Sequence, residues 1–151
     1  MIILEMVLGY FGIAIAVMLW LITALASWRV FVKAGVPGWK SLIPIYREYQ
    51  LFRIAWDSKQ FLIYAGIVII SGVMEVLAGD TNQFSVWGMA GAVIDLGVIY
   101  YEVMLKMYLA RSFGRSRAFG LFLYFLEFLG MTSLGFGPYE YEGPAGAKDK
   151  V

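Results

Sequence analysis

Two residue types are missing altogether from this chain of 151 residues: it has no cysteine and no histidine. Without thiols there is no disulfide and no thiolate metal site, and cysteine usage carries no trace of the redox compartment. Without imidazole, zinc and haem lose their usual ligand, and acid–base chemistry loses its usual proton carrier near neutral pH. Charge is scarce as well, at 15% of the residues, where soluble domains carry about 25%. With 61% hydrophobic residues and a mean hydropathy of +0.74, the composition is that of an integral membrane protein. The length allows one small helical domain. No basic patch stands apart from the flanks of the apolar runs, so neither a nucleic-acid partner, a cofactor nor a metal is expected.

What is present is a series of apolar runs, and the expected fold is all-α with four transmembrane helices. The spans fall at about 4–33, 61–78, 84–108 and 118–136, each long enough, or nearly so, for a hydrocarbon layer of about 30 Å. Ala24-Leu25-Ala26 before Ser27 imitates a signal-peptidase site. The run is longer than a leader's apolar core and has Glu5 but no basic residue ahead of it, which predicts a retained helix. Gly9, Gly12 and Ala16 lie near one face of this first helix and would permit close helix approach. Residues 79–83 form a polar turn without a basic residue. Residues 1–137 make a single transmembrane domain, and 138–151 are expected as a flexible tail.

Between the first two spans lies a stretch, Trp28 to Trp56, that is too charged to cross a bilayer and unusually aromatic. Arg29, Lys33, Lys40, Arg47 and Arg53 alternate with Trp28, Trp39, Tyr46, Tyr49 and Trp56. Aromatic rings favour headgroup depth, and long basic side chains bury their stems while their charges reach water or phosphate. The first helix should stop near Ala34-Gly35, with Pro37-Gly38 turning the chain and Pro44 holding Ile43 extended. An amphipathic helix over 45–56 follows, with Arg47, Gln50, Arg53 and Asp57 on one side and Tyr49, Phe52 and Trp56 on the other. This predicts a cytoplasmic interfacial hairpin. Trp28, Arg29, Lys33, Trp39, Lys40, Arg47, Arg53 and Trp56 are its candidate contacts with anionic lipid or with a partner, though topology determination alone accounts for the charges.

Orientation follows from where the basic residues fall. Arg29, Lys33, Lys40, Arg47, Arg53 and Lys59 lie in the first loop, and Lys106, Arg111, Arg115 and Arg117 in or beside the third. Only Lys148 and Lys150 remain of the twelve. The positive-inside rule sets both loops in the cytoplasm of a cell-membrane protein, and four spans then place both termini outside.

Five of the eleven acidic residues fall in the apolar runs: Glu5, Glu75, Asp95, Glu102 and Glu127. A charge at a span centre costs about 2.5–3.5 kcal/mol, so pairing, neutralisation or water is expected. Glu5 and Glu75 are near span ends. Gly88, Ala92, Asp95, Ile99, Glu102 and Lys106 share one helical face, and Glu102 precedes Lys106 in the favourable direction for an ion pair. Asp95 and Glu127 stand near the middles of their spans, so neighbouring antiparallel helices would bring them level. Asp95, Glu102, Lys106 and Glu127 therefore form a candidate intramembrane network. It serves as internal polar glue, as a proton or cation path, or as a pocket for a small molecule or headgroup.

Lys33-Ala34-Gly35-Val36-Pro37-Gly38-Trp39, with Leu42-Ile43-Pro44-Ile45-Tyr46, resembles a prokaryotic family of small membrane proteins classed as a domain of unknown function. Leu109 to Ser116, Leu134 to Gly137 and Tyr141 to Pro144 extend the likeness, while the Phe-rich run around Glu127 departs from it. The resemblance implies a multi-pass membrane protein without an assigned activity. Some relatives are labelled signal peptidase, whose chemistry needs a Ser nucleophile and a Lys base in an exported domain. The outer segments expected here are too short for one, and no catalytic residue is assigned. The expected role is a non-enzymatic scaffold or accessory subunit acting through partners or self-association. The alternative is a proton- or cation-conducting oligomer using the intramembrane carboxylates.

Overall fold

A computed structural model of the chain describes residues 2–79 and 86–148. The polar turn at Asp80 and the side chain of Glu5 fall outside what is described. Among the described residues all regular structure is helical. Helix α1 spans Ile2–Lys33, a 3-10 turn follows at Gly38–Leu42, and then α2 Pro44–Ala55, α3 Ser58–Ala78 and α4 Val86–Ser112. The shorter helices α5 Arg117–Phe125, α6 Glu127–Phe136 and α7 Ala145–Lys148 complete the chain.

The ends of these helices are set by local chemistry. After α1, Gly35 takes φ 71°, the Val36 amide bonds the Phe31 carbonyl at 2.8 Å and the Gly35 amide bonds Val32 at 3.1 Å. That pair of bonds is the Schellman stop that a left-handed glycine permits. The same device ends α4, with Gly114 at φ 69° and the Arg115 amide on the Ala110 carbonyl at 2.9 Å. Pro44 opens α2 at the first helical position, where its missing amide costs nothing. Asp57 caps α3 and Ser116 caps α5, accepting from the amides of Lys59 at 3.0 Å and Phe119 at 3.3 Å.

Three helices are long and apolar enough to cross a membrane: Gly9–Lys33, Ser58–Leu77 and Val86–Ser112. The expected fourth span over 118–136 is instead broken. The backbone leaves the helix at Leu126 (φ −128°, ψ 60°) and restarts at Glu127. The pieces of nine and ten residues measure about 14 and 15 Å, and neither reaches across a bilayer. They fold back on one another as a helical hairpin. α5 runs against α4, and α6 returns along α1 towards its C-terminal end.

Glycines make the fit possible. A Cβ at Gly120 would stand 2.4 Å from the Met107 Cα, one at Gly130 2.8 Å from the Leu123 Cγ, and one at Gly135 2.7 Å from the Ala26 carbonyl oxygen. Each of these approaches is closed to any residue with a side chain.

The tail also differs from expectation. Tyr141 donates its hydroxyl to the Ile54 carbonyl at 2.7 Å, and the Glu142 amide bonds the Ser112 carbonyl at 2.8 Å. The Ala145 amide then reaches Ser112 Oγ at 3.0 Å. Residues 139–146 are therefore docked on the ends of α2 and α4. The docked residues therefore lie beside the C-terminal end of α1, at the opposite end of the bundle from its start, whereas four full spans would put the two ends together.

The core sits at that same end. Val30, Phe31, Leu51, Phe52, Leu105, Leu109, Leu123, Met131 and Leu134 are fully or almost fully buried, drawn from α1, α2, α4, α5 and α6. Phe52, Trp56, Phe61, Tyr64, Tyr101 and Tyr108 extend it as a chain of ring contacts 4.9–6.4 Å between centroids. So α2 does not float on the surface. Gln50, expected on its polar side, is fully buried among Leu51, Phe52, Ile54 and Ala55.

Candidate functional site

The break between α5 and α6 is where charge gathers. Glu127 starts α6 and its Oε1 accepts from two cations on two other helices. Lys106 Nζ of α4 reaches it at 2.9 Å, and Arg47 Nη2 of α2 makes a very short contact. Arg47 also bonds Ser27 Oγ of α1 at 3.2 Å and Glu48 at 3.3 Å, while Ser27 donates to the Thr23 carbonyl at 2.7 Å. One carboxylate at the turn of the helical hairpin therefore ties α1, α2, α4 and α6 together.

The surroundings make that tie strong. The Arg47 and Lys106 side chains are only 18% and 9% exposed and Glu127 is 36% exposed, so the ion pairs are partly removed from water and less screened than at the surface. Gln50 lies one turn from Arg47 on α2, and neither polar atom of its buried amide has a protein partner.

Asp95 and Glu102 belong to a separate seam. Asp95 accepts a very short hydrogen bond from Ser71, Glu102 accepts from the Tyr64 hydroxyl at 3.1 Å, and Tyr101 donates to Gln60 at 3.3 Å. Every one of these joins α3 to α4. Glycines match the larger α3 side chains along the same seam: Gly91 faces Met74 and Gly97 faces Ile67. These hydrogen bonds fix the register of the two antiparallel helices.

Two expected pairings give way to these. Glu102 does not bond Lys106, because Tyr64 takes its carboxylate and Glu127 takes the ammonium. Asp95 does not meet Glu127. It stands eleven residues from Lys106 on α4, roughly 16 Å along the axis, and faces α3. Glu75 is exposed. No three acidic side chains converge closely enough to hold a metal ion among the described residues.

The aromatic-basic stretch splits in the same way. Lys33 Nζ donates to the carbonyls of Leu134 at 2.8 Å, Gly137 at 2.7 Å and Tyr139 at 3.1 Å. It is thus the cap for the end of α6, where helix carbonyls lack partners and a cation is favoured. Trp56 stacks in the interior on Tyr108 and Tyr101, and Arg47 belongs to the Glu127 junction. Arg29 lies over the Phe136 ring at 5.4 Å. On the outside remain Trp28, Arg53 and Trp39. Trp39 stacks on Tyr46, and Lys40 lies 5.3 Å from the centre of the Tyr46 ring.

Ser27, Ser71, Tyr64, Ser112 and Tyr141 carry much of this polar framework without having been singled out from the sequence. A spacing signal existed for Arg47 alone, which shares a helical face with the buried Leu51 and Ile54.

A model of a family of unknown function, DUF5684, matches residues 39–144. The chain belongs to that family. The match runs from the 3-10 turn through α2 to α6 and into the docked tail, and it leaves α1 outside. In this member, both the Glu127 junction partners Arg47 and Lys106 and the α3–α4 seam lie within the matched stretch, whereas Ser27 and Lys33 do not. No curated protein and no solved structure matches the chain.

Proposed function

We propose that this is a non-catalytic membrane protein that acts by association, through the first half of α1. The observation that carries the reading is the bareness of that half. Residues 9–20 are exposed on every side, with Tyr10 at 68% and Ile13 at 63%, and the contacts of α1 with α6, the 3-10 turn and Arg47 of α2 are made by other residues of the helix. A Cβ at Gly9 or Gly12 would meet nothing within 4 Å. In α5 and α6, by contrast, Gly120, Gly130 and Gly135 are all used for close contact. Small residues on a membrane helix support close approach by another helix, and Gly9 and Gly12 are unused inside the molecule.

On this reading the Glu127 junction and the α3–α4 seam hold the framework rigid while α1 reaches out from it. The end carrying Lys33, Lys40, Arg111, Arg115 and Arg117 faces the cytoplasm by the positive-inside rule, so the start of α1 lies outside and the docked tail inside. The alternative of proton or cation conduction would need Asp95, Glu102 and Glu127 to exchange protons along one path, yet each is engaged by a different donor.

The absence of cysteine makes the test clean. A cysteine introduced at Gly12 and carrying a photoactivatable group should capture protein in intact membranes, either a second copy or a partner. One at Leu62, on the outer face of α3, should capture lipid. Lipid adducts alone at Gly12, with the protein monomeric in mild detergent, would overturn the reading.

A further inference from the structure

We infer that the protein is a wedge in its bilayer and gathers where the leaflet at its basic end, the end of Lys33 and Lys40, is the convex one. Depth decides this, and hydrogen bonds and close packing fix depth against the crossing helices. Gly135, in the last turn of α6, packs on the Ala26 carbonyl of α1, and Lys33 Nζ donates to the Leu134 and Gly137 carbonyls. The other end of α6, at Glu127, lies about 14 Å deeper in the membrane. α5 starts at Arg117 and passes Met107 of α4 at Gly120. Five residues on, at Phe125, it reaches the level of Glu102 and the chain turns back. About 24 Å of α4, from Val86 to Tyr101, runs on past that turn.

The segment after α1 makes a similar excursion. Gly38 packs against the Trp28 ring, and Ser41 Oγ bonds the Ala24 carbonyl at 3.4 Å. Ala24 stands nine residues before Lys33, about 14 Å into the membrane from the end of α1. At that depth Leu42, Ile43 and Ile45 are exposed, and Arg47 turns its charge inward to Glu127. α2 then climbs back to Ala55, whose carbonyl meets Ser112 Oγ at the end of α4.

Both excursions enter and leave by the basic end. Helices α1 to α6 all occupy the leaflet at that end, and among the described residues only α1, α3 and α4 continue through the other. At about 10–12 Å per helix, the cross-section roughly halves between the leaflets. Ile45 and Phe125, near the deep ends of the two excursions, are each 77% exposed, so acyl chains of one leaflet surround them. Segments inserted in one leaflet bind in a curvature-sensitive way, because they spread its lipids and bending relieves the mismatch. A lone copy has this shape, so curvature preference is independent of association through α1.

Depth is tested first, with a nitroxide on single cysteines placed in the full chain in bilayers. At Ile45 and Phe125 the label should be relaxed by oxygen and shielded from a water-soluble nickel chelate, as at the lipid-exposed Leu25. At the exposed Lys59, which follows α2, the order should reverse. Labels at Ile45 and Phe125 that behave as at Lys59 would put both excursions in water and overturn the wedge. Sorting is tested next, in membrane tubes drawn from giant vesicles at a dilution where copies do not meet. A dye on Lys59→Cys reports density, and an impermeant quencher reports which end faces out. With the basic end outside, dye density relative to a lipid dye should be higher in the tube than in the vesicle wall, increasingly so as the tube narrows. With the basic end inside, it should be lower. The same ratio in both orientations, or enrichment with the basic end inside, overturns the inference.

Discussion

The two ends of this molecule are built on opposite terms. Around Lys33, Glu127 and Ser112, five helices share one core, and side-chain hydrogen bonds join residues 80 to 101 positions apart. At the other end, among the described residues, α3 and α4 pack on each other and residues 9–20 of α1 are exposed. The difference is one of solvent. Lipid tails are as apolar as leucine, so an exposed apolar helix incurs no hydrophobic cost there. Polar groups and helix ends do incur one, and they are found where other protein groups can satisfy them. Packing in this chain follows its polar groups more closely than its apolar ones.

The sharpest way to break that contrast is at the charge junction. Glu127→Leu leaves Arg47 and Lys106 side by side without their shared carboxylate. It should lower stability by about 2–3 kcal/mol, the range for charge-assisted hydrogen bonds partly removed from water, read as thermal unfolding in detergent. Replacing Lys106 and Arg47 by methionine in the same chain should recover most of the loss. No loss on Glu127→Leu would mean that the charges are solvated and the junction does not hold the helical hairpin.

Glycine substitutions compare the two ends directly. Gly120→Leu must displace the α4 backbone and should cost about 2–3 kcal/mol or more, as overpacked sites do. Gly12→Leu meets nothing within 4 Å and should leave monomer stability within about 0.5 kcal/mol, while weakening any association through α1. Equal costs at both positions would erase the distinction between a packed and a bare end.

Lys33→Met removes the donor to three carbonyls and should cost about 2 kcal/mol, in the range for hydrogen bonds to a charged group. The release of the tail should show as faster proteolysis after residue 137, with the α3–α4 pair unaffected.

The smallest effect concerns Tyr141. Its hydrogen bond to Ile54 is worth about 1 kcal/mol, which Tyr141→Phe should remove. Burial raises the phenol above its ordinary value, with Arg53 opposing. A group held protonated in the fold contributes fully below its unfolded value of about 10 and loses that contribution as pH rises past it. The advantage of the parent over Tyr141→Phe should therefore shrink in alkaline buffer. A constant difference across that range would show that the phenol titrates alike in both states.

Much of this fold is legible in composition and local spacing. Gly35 announced the stop of α1, Pro44 the start of α2, and apolar length the three crossing helices. What window-by-window reading misses is the fate of 118–136. Apart from Glu127, Thr132 and Ser133 that run is apolar, and it contains no proline, so nothing local breaks it at Leu126. The break depends on Arg47 and Lys106, which stand 80 and 21 residues away. The tail is missed for the same reason. Its glycines and prolines describe a loose segment, but the groups that dock it are Lys33, Ile54 and Ser112, all far upstream. The seam acids were visible as intramembrane charges, yet their partners Ser71 and Tyr64 are ordinary polar residues that no charge pattern marks.

Lys33 also puts the order of synthesis into the fold. Its acceptors lie 101, 104 and 106 residues later in the chain. At about 5–20 residues per second, α1 waits roughly 5–20 s on the ribosome before the segment that completes it exists. Until then its ammonium has water, lipid phosphate or the insertion machinery for company, and that end of the helix can still shift along the membrane normal. Segment 134–139, made long after α1, therefore fixes the depth at which α1 comes to rest.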